Sequence, residues 1–202
     1  MTKNNNEKPT LIIIEGIDGV GKSTVAKKIS EMLNLPVEHH GPVKSMEEGK
    51  KEYFDFIKKC DYSVVKDRFA MGEETYSIIY RGYKADYMRD LEKALMEKFK
   101  VKLFFITGED DFIKHRLQSR GEDFLDLNDL SKTKKLAHDY FENSILPKRM
   151  LMAENGSLMN AFIILADMKS NEFPKDTIEE KCLPKPDLHR TIHSMMKRQG
   201  GK

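Results

Sequence analysis

Apolar residues occur in short continuous runs, and stretches of helical periodicity separate these runs. The first run, residues 11–15, is rich in isoleucine and does not alternate with polar residues, which is typical of a strand buried on both faces. Further runs predict strands over residues 36–40, 63–66, 101–107 and 161–166. Because strands that alternate with helices form parallel sheets with right-handed crossovers, we expect an α/β fold: a five-stranded parallel sheet flanked by helices.

Helices are predicted between the strands. Residues 22–33 place apolar side chains at the spacing of an amphipathic helix, and Asn34 and Pro36 end it. The other predicted helices cover residues 46–59, 73–99, 110–118 and 130–152. We therefore divide the chain into a disordered leader (1–9), one domain (10–170) and a surface tail (171–202) with a short basic helix near residues 188–198.

Composition excludes several classes of protein. The 35 Lys and Arg balance 33 Asp and Glu to a formal charge of +2, which argues against stable binding to a nucleic-acid backbone. No apolar run approaches the roughly 18 residues of a membrane span, and the leader lacks the apolar core of a secretory signal. Cys60 and Cys182 lie far apart without a CxxC pair, which excludes a disulfide framework or thiolate zinc cluster. We expect a cytoplasmic protein.

A phosphate-binding motif follows the first predicted strand. Residues 16–23 read GIDGVGKS and match GxxxxGK[ST], between a buried strand and a helix start as the motif requires. Its glycines let backbone N–H groups converge on phosphate oxygens. Lys22 would reach the β- and γ-phosphates of ATP, and the Ser23 hydroxyl would bind Mg²⁺. The predicted ATP-binding residues are Gly16, Asp18, Gly19, Val20, Gly21, Lys22, Ser23 and Thr24.

A second polar pair follows the third predicted strand. Asp67 and Arg68 come directly after an apolar run, at the carboxyl edge of the sheet where ligands of open α/β folds bind. The carboxylate would position an acceptor or a metal-bound water, and the guanidinium would neutralise charge on a transferring phosphoryl group. The alternative is structural: Asp67 caps the next helix and Arg68 pairs with Glu73 or Glu74.

These segments resemble the thymidylate kinase family. Residues 15–24, EGIDGVGKST, are similar to that family's EGxDGxGKST loop, and Asp67, Arg68 and Tyr76 match its DR[YH]xxSxxAYQ segment in spacing. The resemblance implies that Asp18 reaches the acceptor sugar. It also implies that Tyr76 disfavours a 2′-hydroxyl, so that the acceptor is a deoxynucleotide. Residues 72–82 further resemble the compact deoxynucleotide kinases of bacteriophages.

The same resemblance indicates a lid near residues 114–128. Arg116 and Arg120 match the family's RxxxRG pattern and are four positions apart, so one helix face presents both to the same phosphates. Closure of such a lid would exclude water from the site. Alternatively, both arginines pair with Glu122 and Asp123 on the surface.

The acceptor region departs from the family pattern. The family carries an arginine for the acceptor phosphate between its two motifs, but this chain has none between Ser23 and Asp67. We expect Lys44 to replace that arginine. Tyr53, Phe54 and Phe56 are candidates for a ring stacked on the base, although each is equally suited to the core. The predicted substrate-binding residues are Asp18, His40, Lys44, Phe54, Arg68, Tyr76 and Tyr80.

The function implied is transfer of the ATP γ-phosphate to a pyrimidine deoxynucleoside monophosphate, dTMP or a related deoxyuridylate. Mg²⁺ would be held by Ser23 and Asp67. Members of the family are often homodimers, so the resemblance also implies a homodimer. A deoxynucleoside kinase and a nucleotide-dependent binding module, acting through the basic tail without an acceptor, are the alternatives. The predicted catalytic residues are Lys22, Asp67, Arg68, Arg116 and Arg120.

Overall fold

The computed structural model describes residues 8–120 and 125–169, apart from the side chain of Arg120. Most of the predicted leader, the predicted tail and the centre of the predicted lid lie outside these residues. The strands are β1 (Thr10–Glu15), β2 (Val37–His39), β3 (Val64–Asp67), β4 (Lys100–Thr107) and β5 (Lys148–Met152). They pair in the order β2-β3-β1-β4-β5, and every pair is parallel. The predicted parallel sheet is confirmed.

Helices cover both faces of the sheet because the chain changes its direction of travel across the sheet after β2. The helices are α1 (Lys22–Leu33), α2 (Met46–Lys59), α3 (Ala70–Tyr76), α4 (Met88–Lys98), α5 (Asp110–Arg120), α6 (Leu130–Asn143) and α7 (Ser157–Lys169). From β1 the chain crosses β3 to reach β2, and from there it returns in the opposite direction. With right-handed crossovers, α1 lies on one face and the helices that connect β2 to β5 lie on the other. On the second face α2 packs against α4 and α3 against α6, whereas α7, which follows the last strand, packs against α1 on the first face.

The fifth strand is not where the pattern predicted it. Residues 161–166 lie in α7, and residues 148–152, predicted as the end of a helix, form β5. The apolar run in α7 buries Ala161 and Ile164 but exposes 43% of Phe162, as one-sided packing of a helix requires. In β5, Lys148 donates hydrogen bonds to carbonyl groups at the end of α6, and Arg149 pairs with Asp167 of α7. These contacts satisfy the strand's charges.

The long helix predicted over residues 73–99 is interrupted. It consists of α3, a π-helix over Ser77–Arg81 and, after a break, α4. Gly82 ends the π-helix with φ 73°, a left-handed conformation that favours glycine. Short 3₁₀ turns at Leu127–Asp129 and Ala153–Asn155 precede α6 and α7.

The apolar core surrounds the central strands. Leu11, Ile12 and Ile14 of β1 are fully buried, as predicted for a strand covered on both faces. Cys60 is buried and unpaired with another described cysteine, while Cys182 lies outside the described residues. Within residues 8–120 and 125–169, the helices are too short or too polar to cross a bilayer.

Candidate functional site

The loop between β1 and α1 is built by glycine. Gly16 has φ 148°, and a Cβ at this position would lie 2.3 Å from the carbonyl oxygen of Ile106 on β4. Gly21 precedes the first residue of α1 with φ 89°. These two positions exclude other residues by close approach and by backbone strain. The loop therefore leads into the positive end of a 12-residue helix, the arrangement that binds phosphate.

Lys22, the first residue of α1, is buried beside the loop. Its Nζ donates to the carbonyl oxygen of Ile17 at 2.5 Å and lies 3.7 Å from Oδ1 of Asp18. Burial, together with the nearby charge of Arg68, lowers the pKa of Lys22 to about 8. An ammonium group has three donors, so a phosphate oxygen in the loop would supply a further acceptor and an opposite charge for this buried cation.

Asp18 connects the loop to β3 and α3. Its Oδ1 accepts a hydrogen bond from Nη2 of Arg68 at 2.5 Å, and its Oδ2 accepts one from the Tyr76 hydroxyl at 3.1 Å. Burial alone would raise the pKa of Asp18, but Lys22, Arg68 and the Tyr76 hydrogen bond hold it below its usual value. The three residues that the sequence singled out are therefore in contact, and the surface pairing of Arg68 with Glu73 or Glu74 is wrong.

Arg68 owes its direction to an unusual backbone conformation. Its φ is 73°, in the left-handed region, and its N–H donates to the carbonyl of Ile14 at 3.1 Å. Glu15, at the end of β1, accepts hydrogen bonds from the N–H groups of Phe69 at 2.7 Å and Met71 at 3.0 Å. Burial raises the pKa of Glu15 to about 7, even though these two bonds act to lower it. Glu15, at the end of β1, thus caps the start of α3 and fixes the turn that carries Arg68.

A cavity of about 240 Å³ adjoins this cluster. It lies where β2 and β3 end and where α2 and α3 begin, and Arg68 and Tyr76 separate it from the loop. Its lining residues are His39, His40, Gly41, Pro42, Val43, Tyr53, Arg68, Phe69, Gly72, Glu73, Tyr76 and Arg81. The cavity is small compared with the roughly 300–1,000 Å³ of drug-sized sites.

Stacked rings form one side of the cavity. The His40 ring stacks on Tyr53 with centroids 4.4 Å apart, and Phe69 meets Tyr53 edge-on at 4.9 Å. Burial, with smaller contributions from Lys66 and His39, lowers the pKa of His40 to about 4, so this imidazole is neutral at pH 7. This wall can pack against a planar, uncharged ring.

Asp67 and Ser23 offer oxygen atoms suited to Mg²⁺. Asp67 is buried, its Oδ2 lies 3.2 Å from Nδ1 of His39, and its Oδ1 has no hydrogen-bond partner among the described residues. Ser23 is exposed in the first turn of α1. Hydroxyl and carboxylate oxygens are ligands that Mg²⁺ prefers, and the ion completes its octahedron with water and phosphate. The unpartnered Oδ1 makes the pair fit this ion, although the described residues contain no cluster of three or more His, Cys, Asp or Glu that could hold a metal.

Helix α5 closes over the loop. Leu117 and Ile113 lie within 3.4 Å of the position a Cβ would take at Gly19, and the Arg116 guanidinium lies 3.4–3.8 Å from the equivalent position at Gly21. Arg116 therefore stands directly above the turn into α1. Arg120 ends the same helix. The next four residues of the predicted lid are outside the described residues.

The structure brings some predicted acceptor residues together and separates others. His40, Arg68 and Tyr76 line the cavity, and Asp18 touches two of them. Among residues 8–120 and 125–169, the cavity wall does not include Lys44, Phe54 or Tyr80. Lys44 is exposed, Phe54 packs against the core, and Tyr80 stacks on Tyr76 from outside at 5.9 Å.

Four cavity residues with charged or ring-bearing side chains, namely His39, Phe69, Glu73 and Arg81, were not predicted as binding residues. The sequence pattern gave no role to His39, and Phe69 lies within residues 67–76, which resemble the family motif. Glu73 was considered only as a surface partner of Arg68, and Arg81 lies within residues 72–82, which resemble the bacteriophage kinases. A signal was available for the last two: eight positions separate them on one predicted helix, about two turns, which favours a shared face. The π-helix brings Arg81 Nη1 to 2.6 Å from Glu73 Oε2.

Comparison with known proteins supports the fold. No family model matches the chain. The SPbeta prophage-derived uncharacterized protein YorR of Bacillus subtilis is 28% identical over 140 residues, which are 67% of this chain and 84% of the relative.

Solved structures give the same picture. A crystal structure of YorR in complex with phosphorylated GDP aligns with this chain over 80% of this chain and 98% of the YorR chain, with TM-score 0.64 and 23% identity. Deoxyadenosine kinase from M. mycoides, with products dCMP and a flexible dCDP bound, aligns over 79% of this chain and 99% of the kinase chain, with TM-score 0.57 and 15% identity. Thymidylate kinase from Candida albicans matches 80% and 93%, with TM-score 0.53 and 16% identity. The chain has the three-layer α/β fold of P-loop kinases.

Proposed function

We propose that this protein transfers the γ-phosphoryl group of ATP to a pyrimidine deoxynucleoside monophosphate. One observation carries the proposal: the phosphate-binding loop and the small cavity share a wall, in which Arg68 lines the cavity while it bonds to Asp18 of the loop. A donor phosphate held in the loop and an acceptor held in the cavity would meet at this guanidinium. Phosphoryl transfer depends chiefly on such positioning and charge neutralisation.

The donor side consists of the loop amides, Lys22 and Arg116. The amides and Lys22 would bind the β- and γ-phosphates, and Arg116, above Gly21, would add positive charge. Mg²⁺, held by Ser23 and Asp67, would neutralise charge on the donor phosphates. Arg120 is proposed for the same phosphates on its place at the end of α5, four positions beyond Arg116.

The acceptor side offers a ring wall and a sugar contact. His40, Tyr53 and Phe69 would pack against the base, and the Tyr76 hydroxyl, bonded to Asp18, would stand beside the sugar and crowd a 2′-hydroxyl. Similarity to deoxyadenosine kinase and thymidylate kinase supports a nucleoside or nucleotide acceptor. Thymidylate or a related deoxyuridylate is the acceptor that the sequence resemblance implies.

The reaction needs little proton transfer when the acceptor is a monophosphate. A phosphate oxygen of the acceptor attacks the γ-phosphorus, a new O–P bond forms, and the bond to the β-phosphate oxygen breaks to release ADP. Because the attacking oxygen is already anionic, a strong base is unnecessary. Arg68, half-exposed beside the cavity, would spread the charge that develops on the transferring group.

A deoxynucleoside kinase is the second candidate, and Asp67 favours it. A 5′-hydroxyl acceptor must lose a proton, and the buried Oδ1 of Asp67 lacks a hydrogen-bond partner in the described part of the chain. In that case Asp67 would accept the proton and the product would be a monophosphate.

A panel of acceptors distinguishes these functions. The purified protein would be incubated with ATP, Mg²⁺ and each of the common deoxynucleotides, ribonucleotides and deoxynucleosides, and the products separated by ion-exchange chromatography. A diphosphate formed from a pyrimidine deoxynucleotide supports the proposal, whereas a monophosphate formed from a nucleoside favours the second candidate. Silence across the whole panel, with ATP still bound, would leave only the binding module. Lys22→Ala should lower transfer by about 10²–10³-fold.

A further inference from the structure

Glu73 and Arg81 form an ion pair in the wall of the acceptor cavity. Arg81 Nη1 donates to Glu73 Oε2 at 2.6 Å, and the Tyr83 hydroxyl donates to Oε1 at 2.6 Å. The Glu73 side chain is 1% exposed and that of Arg81 is 16% exposed. Burying such a pair is costly unless its geometry is good, and this carboxylate accepts a strong bond on each oxygen. Arg81 is therefore held in one orientation.

The ion pair lies on the side of the cavity away from the phosphate-binding loop. Glu73 Oε1 is 3.2 Å from the position that a Cβ would take at Gly49 of α2. Tyr76, almost one turn later on α3, instead reaches Asp18 in the loop. Helix α3 thus presents one wall toward the loop and one toward α2. Because the reacting phosphate must lie at the loop, the base of the acceptor falls beside Glu73 and Arg81.

The guanidinium group of Arg81 has N–H donors beyond those that bond to Glu73 and Tyr83. A guanidinium group carries five N–H donors in a planar fork. The bonds of Arg81 to Glu73 and Tyr83 both use Nη1. The Nε and Nη2 groups form the other edge of the guanidinium, where two parallel N–H donors match two adjacent acceptors, as in the bidentate contact of arginine with O6 and N7 of guanine.

We propose that Arg81, held by Glu73, reads the acceptor base, and that this base is cytosine. The inference rests on the proposed function, which makes the cavity the acceptor site. Cytosine offers two adjacent acceptors, N3 and O2, to a guanidinium edge. Thymine and uracil place an N–H donor between their two carbonyl oxygens and cannot satisfy both donors. Guanine also has adjacent acceptors, but the proposed function gives the acceptor a one-ring base.

Binding measurements on Arg81→Lys test this assignment. Lysine keeps the charge that Glu73 needs, so the variant should fold, but it lacks the two-donor fork. Titration calorimetry of the full chain would measure dCMP, dTMP, dGMP, deoxycytidine and thymidine, without ATP. The matched control is Arg89→Gln, an exposed arginine on α4 outside the cavity.

We expect the unmodified protein to bind dCMP more tightly than dTMP or dGMP. Arg81→Lys should weaken dCMP and deoxycytidine by about 5- to 150-fold, the usual contribution of one bidentate contact to base discrimination, and change dTMP by less than about threefold. Equal weakening of dCMP and dTMP with no effect on the nucleosides would place Arg81 at the phosphate and overturn the assignment. Tighter binding of dTMP or dGMP by the unmodified protein would also overturn it.

Selective binding without any phosphoryl transfer would contradict the proposed function but leave the base assignment intact. Transfer to dTMP in preference to dCMP would do the reverse, because it confirms a kinase and refutes cytosine as the base. Glu73→Gln supplies an independent check. It weakens the restraint on Arg81 and should reduce the preference for dCMP over dTMP, even if the variant is less stable.

Discussion

Replacing Arg68 by alanine and by glycine separates two roles of this residue. Both variants lose the guanidinium that bonds to Asp18, and both must keep the turn between β3 and α3. The backbone at position 68 cannot relax easily, because its N–H is bonded to Ile14 and the next N–H is bonded to Glu15. Its φ of 73° therefore persists in the variants, and only glycine adopts that conformation without strain.

The magnitude follows from the two backbone effects. The left-handed conformation costs an L-residue roughly 1–2 kcal/mol. Glycine gives back about 0.4–1 kcal/mol of this, because it makes the unfolded chain more flexible. Arg68→Gly should thus be more stable than Arg68→Ala by roughly 0.5–1 kcal/mol, since the lost ion pair cancels in the comparison. For a chain of 150–250 residues that difference raises Tm by about 1–4 °C.

Calorimetry at fixed protein concentration and pH would measure the two Tm values, and the acceptor panel would measure transfer. Both variants should lose about 10²–10³-fold in transfer, because either one lacks the charge-neutralising donor. An alanine variant as stable as the glycine variant would refute the strain argument. Transfer restored by glycine but not by alanine would refute the catalytic role of the guanidinium.

Three further predictions concern stability and the donor site. The pKa of Glu15 is about 7 in the folded protein and 4.5 without its surroundings, so between these pH values the folded state holds a proton that the unfolded state has lost. The free energy of unfolding should therefore fall as pH rises from about 4.5 to 7, by at most about 1.4 kcal/mol per pH unit. Glu15→Gln should lack this pH-dependent loss when unfolding by urea is compared at pH 5 and pH 8. A Cβ at Gly49 would lie 2.5 Å from a buried tyrosine hydroxyl, so Gly49→Ala should lower Tm through overpacking of about 1–3 kcal/mol, whereas Gly72→Ala, with open space around it, should raise Tm. Arg116→Ala should lower kcat by about 10²–10³-fold, and Lys114→Ala, an exposed residue of the same helix, should leave it unchanged.

The fold was predictable where burial fixes composition. Strands covered on both faces must be apolar, and the runs that became β1, β3 and β4 were recognised for that reason. The edge strand β5 pairs only with β4, and its charged residues find partners on α6 and α7. An edge strand can therefore contain charged residues, and its sequence then resembles that of the end of a helix. The apolar run of α7 has no periodicity by which to distinguish a helix from a strand.

The site was predictable where its chemistry is local in sequence. The loop of residues 16–23 carries its own signal, because glycine spacing, lysine and serine all serve one phosphate. The acceptor cavity has no such signal. Its walls come from α2, α3, the π-helix and the ends of two strands, and the position of Arg81 depends on one extra residue per turn in the π-helix. Lys44 was selected by proximity in sequence, which says nothing about tertiary packing.

The strand order explains why the two motifs meet at all. Asp18 and Arg68 are 50 positions apart, yet β3 lies beside β1 with Ile14 opposite Asp67. The connection after β1 leaves on one face of the sheet and the connection after β3 leaves on the other, so a crevice opens between their carboxyl ends. The loop supplies one side of that crevice and the turn at Arg68 supplies the other. The reversal of strand order, with its right-handed crossovers, therefore brings two separate sequence motifs into one site. The left-handed backbone conformation at position 68 directs the Arg68 side chain across the crevice.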